Sequence, residues 1–329
     1  MSKDFWLNEE ILVLGGGSWG SVLANLAAPQ VKSVKLWVRT EEHARQINST
    51  RGNARYFKKM TLPSNITAVA DLDRAFESEV KAIVWALPSS VSRVIAKRVT
   101  QFLKGDEILI HATKGVEQGS LKRISEVLEE EMPIARIGVL SGPNLAAEIS
   151  QGKPAATVVA SKFDEVIRAG KRLLQNPKFK VEHSNDMIGV EWAGTLKNVL
   201  AIAAGALESA ELGWNARSVL MAEGLSEMVR FGEAMGAEKD TFLGLAGIGD
   251  LLATCTPLSR NYRVGLGLGQ NKNLDQILSE LGSTAEGVAT ARHVAEFSRD
   301  RQIKMPITDA VDLLIQNKIK ASELLGFLS

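Results

Sequence analysis

The stretch ILVLGGGSWGSVLANLA, Ile11 to Ala27, decides how the first half of the chain folds. It opens as an apolar strand, turns through a knot of glycines around Ser18 and Trp19, and leaves as a helix. Gly15, Gly17 and Gly20 fit the pattern G-x-G-x-x-G. Each glycine has its own task in a dinucleotide site: a tight turn, room for a pyrophosphate, and close packing of helix on strand. The pyrophosphate would rest on the N–H groups where the helix begins near Ser18, helped by the helix dipole. A tight structural corner needs similar glycines, so the rest of the chain has to supply a second substrate and a chemistry.

Around that turn, short β-rich runs alternate with helical segments from Ile11 to about Val181. The runs are ILVLG, SVKLWVR, NITAVA, KAIVWAL, EILIHAT, IGVLSG, AATVVA and FKVEH; SSVSRVIAKRVTQFL and LKRISEVLEEEM are among the helical patterns. Apolar strands separated by helices imply βαβ units and a parallel sheet covered on both faces. Right-handed crossovers place the C-terminal strand ends, where ligands bind, along one edge. After about Asn185 every convincing segment has helical period, from MIGVEWAGTLKNVLAIAAGALESAEL to TDAVDLLIQN. The expected fold is α/β: a Rossmann-like, mostly parallel sheet domain over residues 1–185, then an all-α domain over residues 186–329. A ligand cleft is expected at their seam.

The chain has 329 residues, and 39 basic against 38 acidic side chains leave a formal net charge of +1. So balanced a chain gives no electrostatic case for nucleic acid or an anionic membrane. An anionic ligand must be caught by a few placed cations and backbone N–H groups. The single cysteine, Cys255, excludes an intramolecular disulfide and a thiolate metal cluster, and its small apolar neighbours read as the setting of a buried thiol. The N-terminal MSKDFWLNEE has charges where a signal peptide needs an apolar run, and no window nears ~18 uninterrupted apolar residues. A cytoplasmic protein without membrane insertion is expected, and the apolar helical half leaves room for a homodimer. His43, His111, His183 and His293 show no metal-ligand spacing, so no metal is expected.

Several positions stand out along the functional edge. The run SVKLWVR ends in Arg39 where the fingerprint expects an acid for the ribose 2′-hydroxyl. A guanidinium suits a 2′-phosphate better, which points to NADP(H) and leaves NAD(H) open; Glu41 and Glu42 are placed to neutralise it instead. Lys114 follows the strand in LIHATKG, and in VLSGPNLAAEI a strand runs into Gly142 with Asn144 placed to cap a helix. Lys197 is sharper. On a helix, its neighbours three, four and seven residues away are Val190, Ala193, Gly194, Leu200, Ala201 and Ala204, none of them acidic. Such an ammonium either snorkels to solvent or faces a cleft, tuned as a proton donor by burial and a distant partner. Asp250, in LAGIGDLLATC, is a candidate partner or a cap of the next helix. Ser259, Arg260 and Asn261 offer hydroxyl, guanidinium and amide donors in a row, a set suited to a phosphate, and Glu286 lies near another helix start.

Taken together, GGGSWGSVLA, ATKGVE, SGPNLAAEI, GTLKNVLAIAAG, NARSVLMAEGLSEM, LAGIGDLLATC and SRNYRVG resemble the bacterial type of NAD(P)-dependent glycerol-3-phosphate dehydrogenase. The resemblance runs from Ile11 to the final helices with the motifs in family order. It implies reversible reduction of dihydroxyacetone phosphate, a phosphorylated small molecule, to sn-glycerol 3-phosphate, a phospholipid backbone precursor. By resemblance, Lys197 matches the catalytic acid/base and contacts substrate with Lys114, Gly142, Asn144, Asp250, Ser259, Arg260 and Asn261. Ser18, Trp19, Arg39, Lys114, Ala146, Arg260 and Glu286 match positions that touch the nicotinamide cofactor. Two positions depart from the pattern: Asn144 stands where threonine is common, and Ala285 begins AEG where VEG is more usual. A β-hydroxyacid dehydrogenase shares the architecture and a helical lysine but has no reason to carry Ser259-Arg260-Asn261. A non-catalytic dinucleotide sensor would keep the glycine turn yet need neither Lys197 nor Asp250.

Overall fold

A computed structural model describes residues 8–282 and 285–327. Met1–Leu7, most of the stretch read above as lacking a signal peptide, and Ser283–Thr284 lie outside the described residues. The chain divides into two compact units. One holds the chain up to Thr113 with Ile124–Leu140 and Asn144–Met187; the other holds Lys114–Arg123, Ser141–Pro143 and Ile188 onward.

In the first unit each β-rich run becomes one strand: β1 (Glu10–Leu14), β2 (Ser33–Trp37), β3 (Ile66–Val69), β4 (Val80–Trp85), β5 (Ile108–His111), β6 (Ile137–Ser141), β7 (Ala155–Ala160) and β8 (Phe179–Ser184). They form one sheet in the order β3-β2-β1-β4-β5-β6-β7-β8. The pairs β1·β2, β1·β4, β2·β3, β4·β5, β5·β6 and β7·β8 run parallel. The apolar runs lack a two-residue alternation because the central strands are covered on both faces: Ile11, Leu12, Val13 and Leu14 are all buried. Helices α1 (Ser18–Ala27), α2 (Glu41–Thr50), α3 (Leu72–Ala75), α4 (Ser89–Val99), α5 (Ile124–Glu131), α6 (Ala146–Ile149) and α7 (Asp164–Leu174) complete the unit. The helix read from Leu121 begins only at Ile124. Leu121 takes a left-handed φ of 55°, and Arg123 forms an isolated bridge to Val116, so those residues close a loop instead.

The second unit is helical among its described residues: α8 (Met187–Ser209), α9 (Gly213–Ala234), α10 (Lys239–Leu243), α11 (Asp250–Thr254), α12 (Arg260–Gly269), α13 (Leu274–Leu281), α14 (Glu286–Asp300) and α15 (Pro306–Ile315). Residues Leu245–Gly249, with glycines at 247 and 249, form one π-helical turn leading directly into α11. Its core gathers Trp192, Phe231, Phe242 and Tyr262 around α8. The small residues of α8 let neighbouring backbones come close. A Cβ on Gly205 would lie 2.0 Å from the Tyr262 carbonyl oxygen, and one on Gly265 would lie 1.9 Å from that of Ile202. Helices α8 and α12 therefore cross backbone on backbone.

Because no flexible side chain can yield there, Gly205→Ala is expected to destabilise the protein by about 1–3 kcal/mol or more. Gly244→Ala, whose added carbon would meet nothing nearer than 3.6 Å, should stay within about 0.5 kcal/mol. Denaturant unfolding of both variants checks the difference.

Candidate functional site

The functional side chains fall into two groups, one in each unit. In the first unit, β1 delivers the chain into Gly15, whose φ of 114° suits glycine. A Cβ there would lie 2.5 Å from the Ala86 carbonyl oxygen, and a Cβ on Gly20 would lie 1.9 Å from that of Gly15. These two glycines close the turn onto β4 and onto itself. Gly17 differs: a Cβ there would meet nothing within 4 Å, so the space beside it is open. Gly17 also occupies the cap position of α1 without a side-chain cap, leaving the first N–H groups of Ser18 and Trp19 to an outside acceptor. The Trp19 indole N–H is buried and lacks a partner among the described residues. An open glycine, an uncapped helix start and an orphaned donor fit a dinucleotide pyrophosphate. Arg39 is exposed past β2 and, among the described residues, forms no ion pair with Glu41 or Glu42. Ala146 begins α6.

In the second unit the lysine question has a definite answer. Lys197 does not snorkel: it is 4% exposed, and its Nζ lies 2.6 Å from Asp250 Oδ1 and 2.7 Å from Thr254 Oγ1. Asp250 itself is 1% exposed, and its other oxygen accepts from Lys114 Nζ at 2.6 Å. Lys114 also donates to the Gly142 carbonyl at 3.0 Å, where the glycine takes a φ of 150°. One carboxylate thus serves two ammonium groups, leaving a net single positive charge that suits an anionic substrate. The cap of α11 is Gly249, so the lysines, rather than the helix end, engage the Asp250 carboxylate.

The electrostatics follow from burial. Desolvation pushes the Lys197 ammonium down to about 7; Asp250 opposes this, and Lys114 adds to it. For Asp250, burial works toward the neutral acid, but Lys114 and Lys197 outweigh it and hold the carboxyl below its usual range. Burial pushes the Cys255 thiol up to about 12, which keeps it an inert packing group.

The surroundings fix this cluster from several sides. A Cβ on Gly194 would come 2.6 Å from Ser141 Oγ, so Ser141 and Lys114 lie directly against α8. The Arg123 guanidinium reaches Glu191 of α8 at 2.7 Å, anchoring the loop that carries Lys114. The Asn198 amide donates to the Lys114 carbonyl at 3.4 Å. Ser259 caps α12 by accepting from the Tyr262 N–H, Arg260 is exposed at the first turn, and Asn261 Oδ1 accepts from the Gly287 N–H at 3.1 Å. Gly287 follows Glu286 at the start of α14, and a Cβ there would lie 2.6 Å from the Asn198 carbonyl oxygen.

One expectation requires correction. Asn144 does not cap a helix: the cap of α6 is Leu145, and the Asn144 amide spans to β7. It donates to the Ala156 carbonyl and accepts from Thr157 Oγ1, both at 2.9 Å. Sequence reasoning also missed Thr254, Asn198 and Ser141. The available signal for Thr254 was its spacing of four from Asp250 on one helix.

Two family models match the chain, the N-terminal part of NAD-dependent glycerol-3-phosphate dehydrogenase over residues 10–167 and its C-terminal part over residues 186–326. The chain belongs to this family. A glycerol-3-phosphate dehydrogenase [NAD(P)+] of Pseudomonas paraeruginosa is 44% identical over 308 residues, spanning 93% of this chain and 90% of the relative. Its counterpart in Acinetobacter baumannii is 42% identical over 302 residues, covering 92% and 84%. The crystal structure of glycerol-3-phosphate dehydrogenase from Coxiella burnetii superposes with a TM-score of 0.92 at 32% identity, covering 97% of this chain and 98% of that one. The family fold is therefore an eight-stranded, mostly parallel Rossmann-like sheet with a helical C-terminal part, as the strand and helix rhythm indicated.

Removing the shared carboxylate isolates two ammonium groups. Asp250→Asn is expected to cost about 3–5 kcal/mol near about pH 6, shrinking toward about pH 9 as Lys197 is left neutral. Urea unfolding across that pH range measures it.

Proposed function

We propose that the chain is an NAD(P)H-dependent glycerol-3-phosphate dehydrogenase that reversibly reduces dihydroxyacetone phosphate to sn-glycerol 3-phosphate, the backbone precursor of phospholipids. The observation that carries this reading is the buried Lys197 ammonium, 2.6 Å from Asp250 and pushed down to about 7. It is an acid strong enough to protonate an alkoxide and a base weak enough to be regenerated near neutrality. The bound nicotinamide supplies or accepts a hydride at the substrate's C2.

Residues 1–185 serve as the cofactor domain and residues 186–329 as the catalytic domain. Gly15, Gly17 and Gly20 shape the pyrophosphate seat, with the Ser18 and Trp19 amides and Ala146 lining it. Arg39 reads a 2′-phosphate, so NADP(H) is preferred and NAD(H) accepted; by the family resemblance, Glu286 and Arg260 are further cofactor contacts. In the reductive direction Lys197 gives its proton to the oxygen developing at C2, and in the oxidative direction the neutral amine removes it. Asp250 and Thr254 hold the lysine nitrogen in one place, which limits the reorganisation the proton transfer requires. Lys114 adds a second cation, and its bond to the Gly142 carbonyl aims it. Ser259, Arg260 and Asn261 take the substrate phosphate at the start of α12, where helix N–H groups favour an anion. Asn144 contributes through its remaining amide hydrogen, the other being committed to β7. A cytoplasmic setting follows from the same reading, and the apolar helical half leaves room for a homodimer; among the described residues no helix is long and apolar enough to cross a membrane.

Lys197→Ala is expected to lower turnover by about 10²–10⁴-fold while leaving the dissociation constant for NADPH within about twofold. Oxidation of NADPH with dihydroxyacetone phosphate, compared with small 2- and 3-oxo acids, tests the reaction; wild-type-like turnover in the variant, or preference for an oxo acid, overturns the assignment. The pH profile provides a second check. Reduction needs the charged ammonium, so its kcat/KM should fall as pH rises through about 7. Oxidation needs the neutral amine and should rise through the same region. For cofactor choice, Arg39→Asp should shift the preference toward NADH by about tenfold or more. The ratio of kcat/KM values for the two cofactors measures it.

A further inference from the structure

We infer that Asn53, a residue outside every motif above, is a positioning residue for the glycine turn: its buried amide holds Gly16 and α1 in the shape that receives the cofactor's pyrophosphate. This rests on the reading of Gly15–Gly20 as the cofactor seat. Asn53 is fully buried. Its Nδ2 donates to the Gly16 carbonyl at 3.0 Å and to Ser21 Oγ at 2.9 Å. Its Oδ1 faces His43 Nε2 at 3.0 Å. A carbonyl on one side requires the amide NH₂ to point there, so the His43 ring nitrogen is the donor to Oδ1. Every polar atom of the side chain is thereby used on the glycine turn, on α1 or on α2.

The contacts fall where they control the turn. The Gly16 N–H donates to the Trp37 carbonyl at 2.9 Å, so β2 holds one side of this residue and Asn53 the other. Gly17 and the first N–H groups of α1 are then left free for an anion. His43 lies in the first turn of α2, where its own N–H donates to the cap Thr40. One amide thus joins the starts of both helices that flank the turn.

Asn53 is itself fixed by its loop rather than by the ligand. Arg51, at a left-handed φ of 53°, donates from its guanidinium to the carbonyls of Ile66 at 2.9 Å, Leu62 at 3.4 Å and Pro63. Gly52 bridges to Thr61, and the Leu62 N–H donates back to the Arg51 carbonyl at 2.7 Å. The Asn53 carbonyl accepts from the N–H groups of Tyr56 and Phe57 at 3.0 and 2.9 Å. A loop closed by this clasp prepays the ordering that binding would otherwise require.

Asn53→Asp is nearly isosteric, cannot donate to the Gly16 carbonyl, and sets a carboxylate beneath the pyrophosphate seat. Its dissociation constants for NADPH and NADH, read by titration calorimetry, are expected to rise about tenfold or more. In the cofactor-free protein, hydrogen exchange at the amides of residues 17–21 should quicken. The KM for dihydroxyacetone phosphate at saturating cofactor and kcat should each change by less than about threefold, since the lysine cluster is untouched. Ser21→Ala removes one of the two acceptors and is expected to weaken binding about two- to threefold. His43→Gln, whose amide also donates, should bind cofactor more tightly than His43→Ala. A folded Asn53→Asp protein with parental cofactor affinity and parental exchange overturns the inference, as does a uniform loss of melting temperature, cofactor affinity and kcat together. If Asn53→Asp does not fold, parental affinity in both Ser21→Ala and His43→Ala overturns it. Failure of the unmodified chain to bind either dinucleotide would instead defeat the reading of the turn.

Discussion

Much of the helical unit is organised around one constraint: a single buried carboxylate, Asp250, has to satisfy two ammonium groups. Removing a charge from water costs several kcal/mol, and the cost is repaid only with tight geometry and further hydrogen bonds. That requirement accounts for the local structure. The π-helical turn Leu245–Gly249 delivers Asp250 as the first residue of α11, and Thr254, one turn on, meets the same lysine. The loop carrying Lys114 is pinned to α8 by Arg123 and Glu191 and by the Asn198 amide. Gly194 is small because Ser141 and Lys114 must come within reach of the same helix. The chemical return is a lysine able to exchange its proton near neutrality.

The first unit solves a different problem, that of presenting backbone N–H groups rather than charges. No side chain caps α1, and Gly17 leaves open space beside it. Such a turn has little intrinsic rigidity, since glycine loses more conformational freedom on ordering than any other residue. The shape is imposed from outside: Trp37 of β2 holds the N–H groups of Gly15 and Gly16, and the Asn53 amide holds the Gly16 carbonyl. Charge placement and backbone placement therefore need different supporting residues, and each unit carries its own.

These differences explain which features were legible in the sequence. All eight strands could be read: the central ones are buried on both faces and so form continuous apolar runs bounded by polar turns, while the edge strands β3 and β8 keep polar residues such as Thr67 and Lys180 on an exposed face. Lys197 could be read because a helical lysine without a local acid has to find a distant one, and Asp250 was conspicuous among apolar neighbours. Thr254 and Asn198 were not, since one hydroxyl or one amide on a helix is ordinary until its neighbours in space are known. Asn53 was still less visible: its role depends on how the Arg51–Leu62 loop closes, and loop closure leaves no periodic trace. The start of α5 was misread because LKR suits a helix by propensity, whereas the Val116–Arg123 bridge claims those residues. Asn144 looked like a cap for the same reason: a local rule was applied where β7 offered better partners.

The backbone crossing of α8 and α12 acts as a fulcrum for the Lys197 nitrogen. Lys197 lies eight residues before Gly205, a lever arm of about 12 Å along the helix. A tilt of about 5° at the crossing would carry the lysine through roughly 1 Å, a displacement on the scale that costs about a hundredfold in rate. Side chains at such a crossing would act as a compliant bushing, since rotamers can shift by tenths of an ångström. With Gly205 facing the Tyr262 carbonyl and Gly265 facing that of Ile202, there is nothing soft to compress. The same stiffness that steadies the Lys197 ammonium against Asp250 also makes this joint the place where a single methyl group would throw the lysine out of alignment.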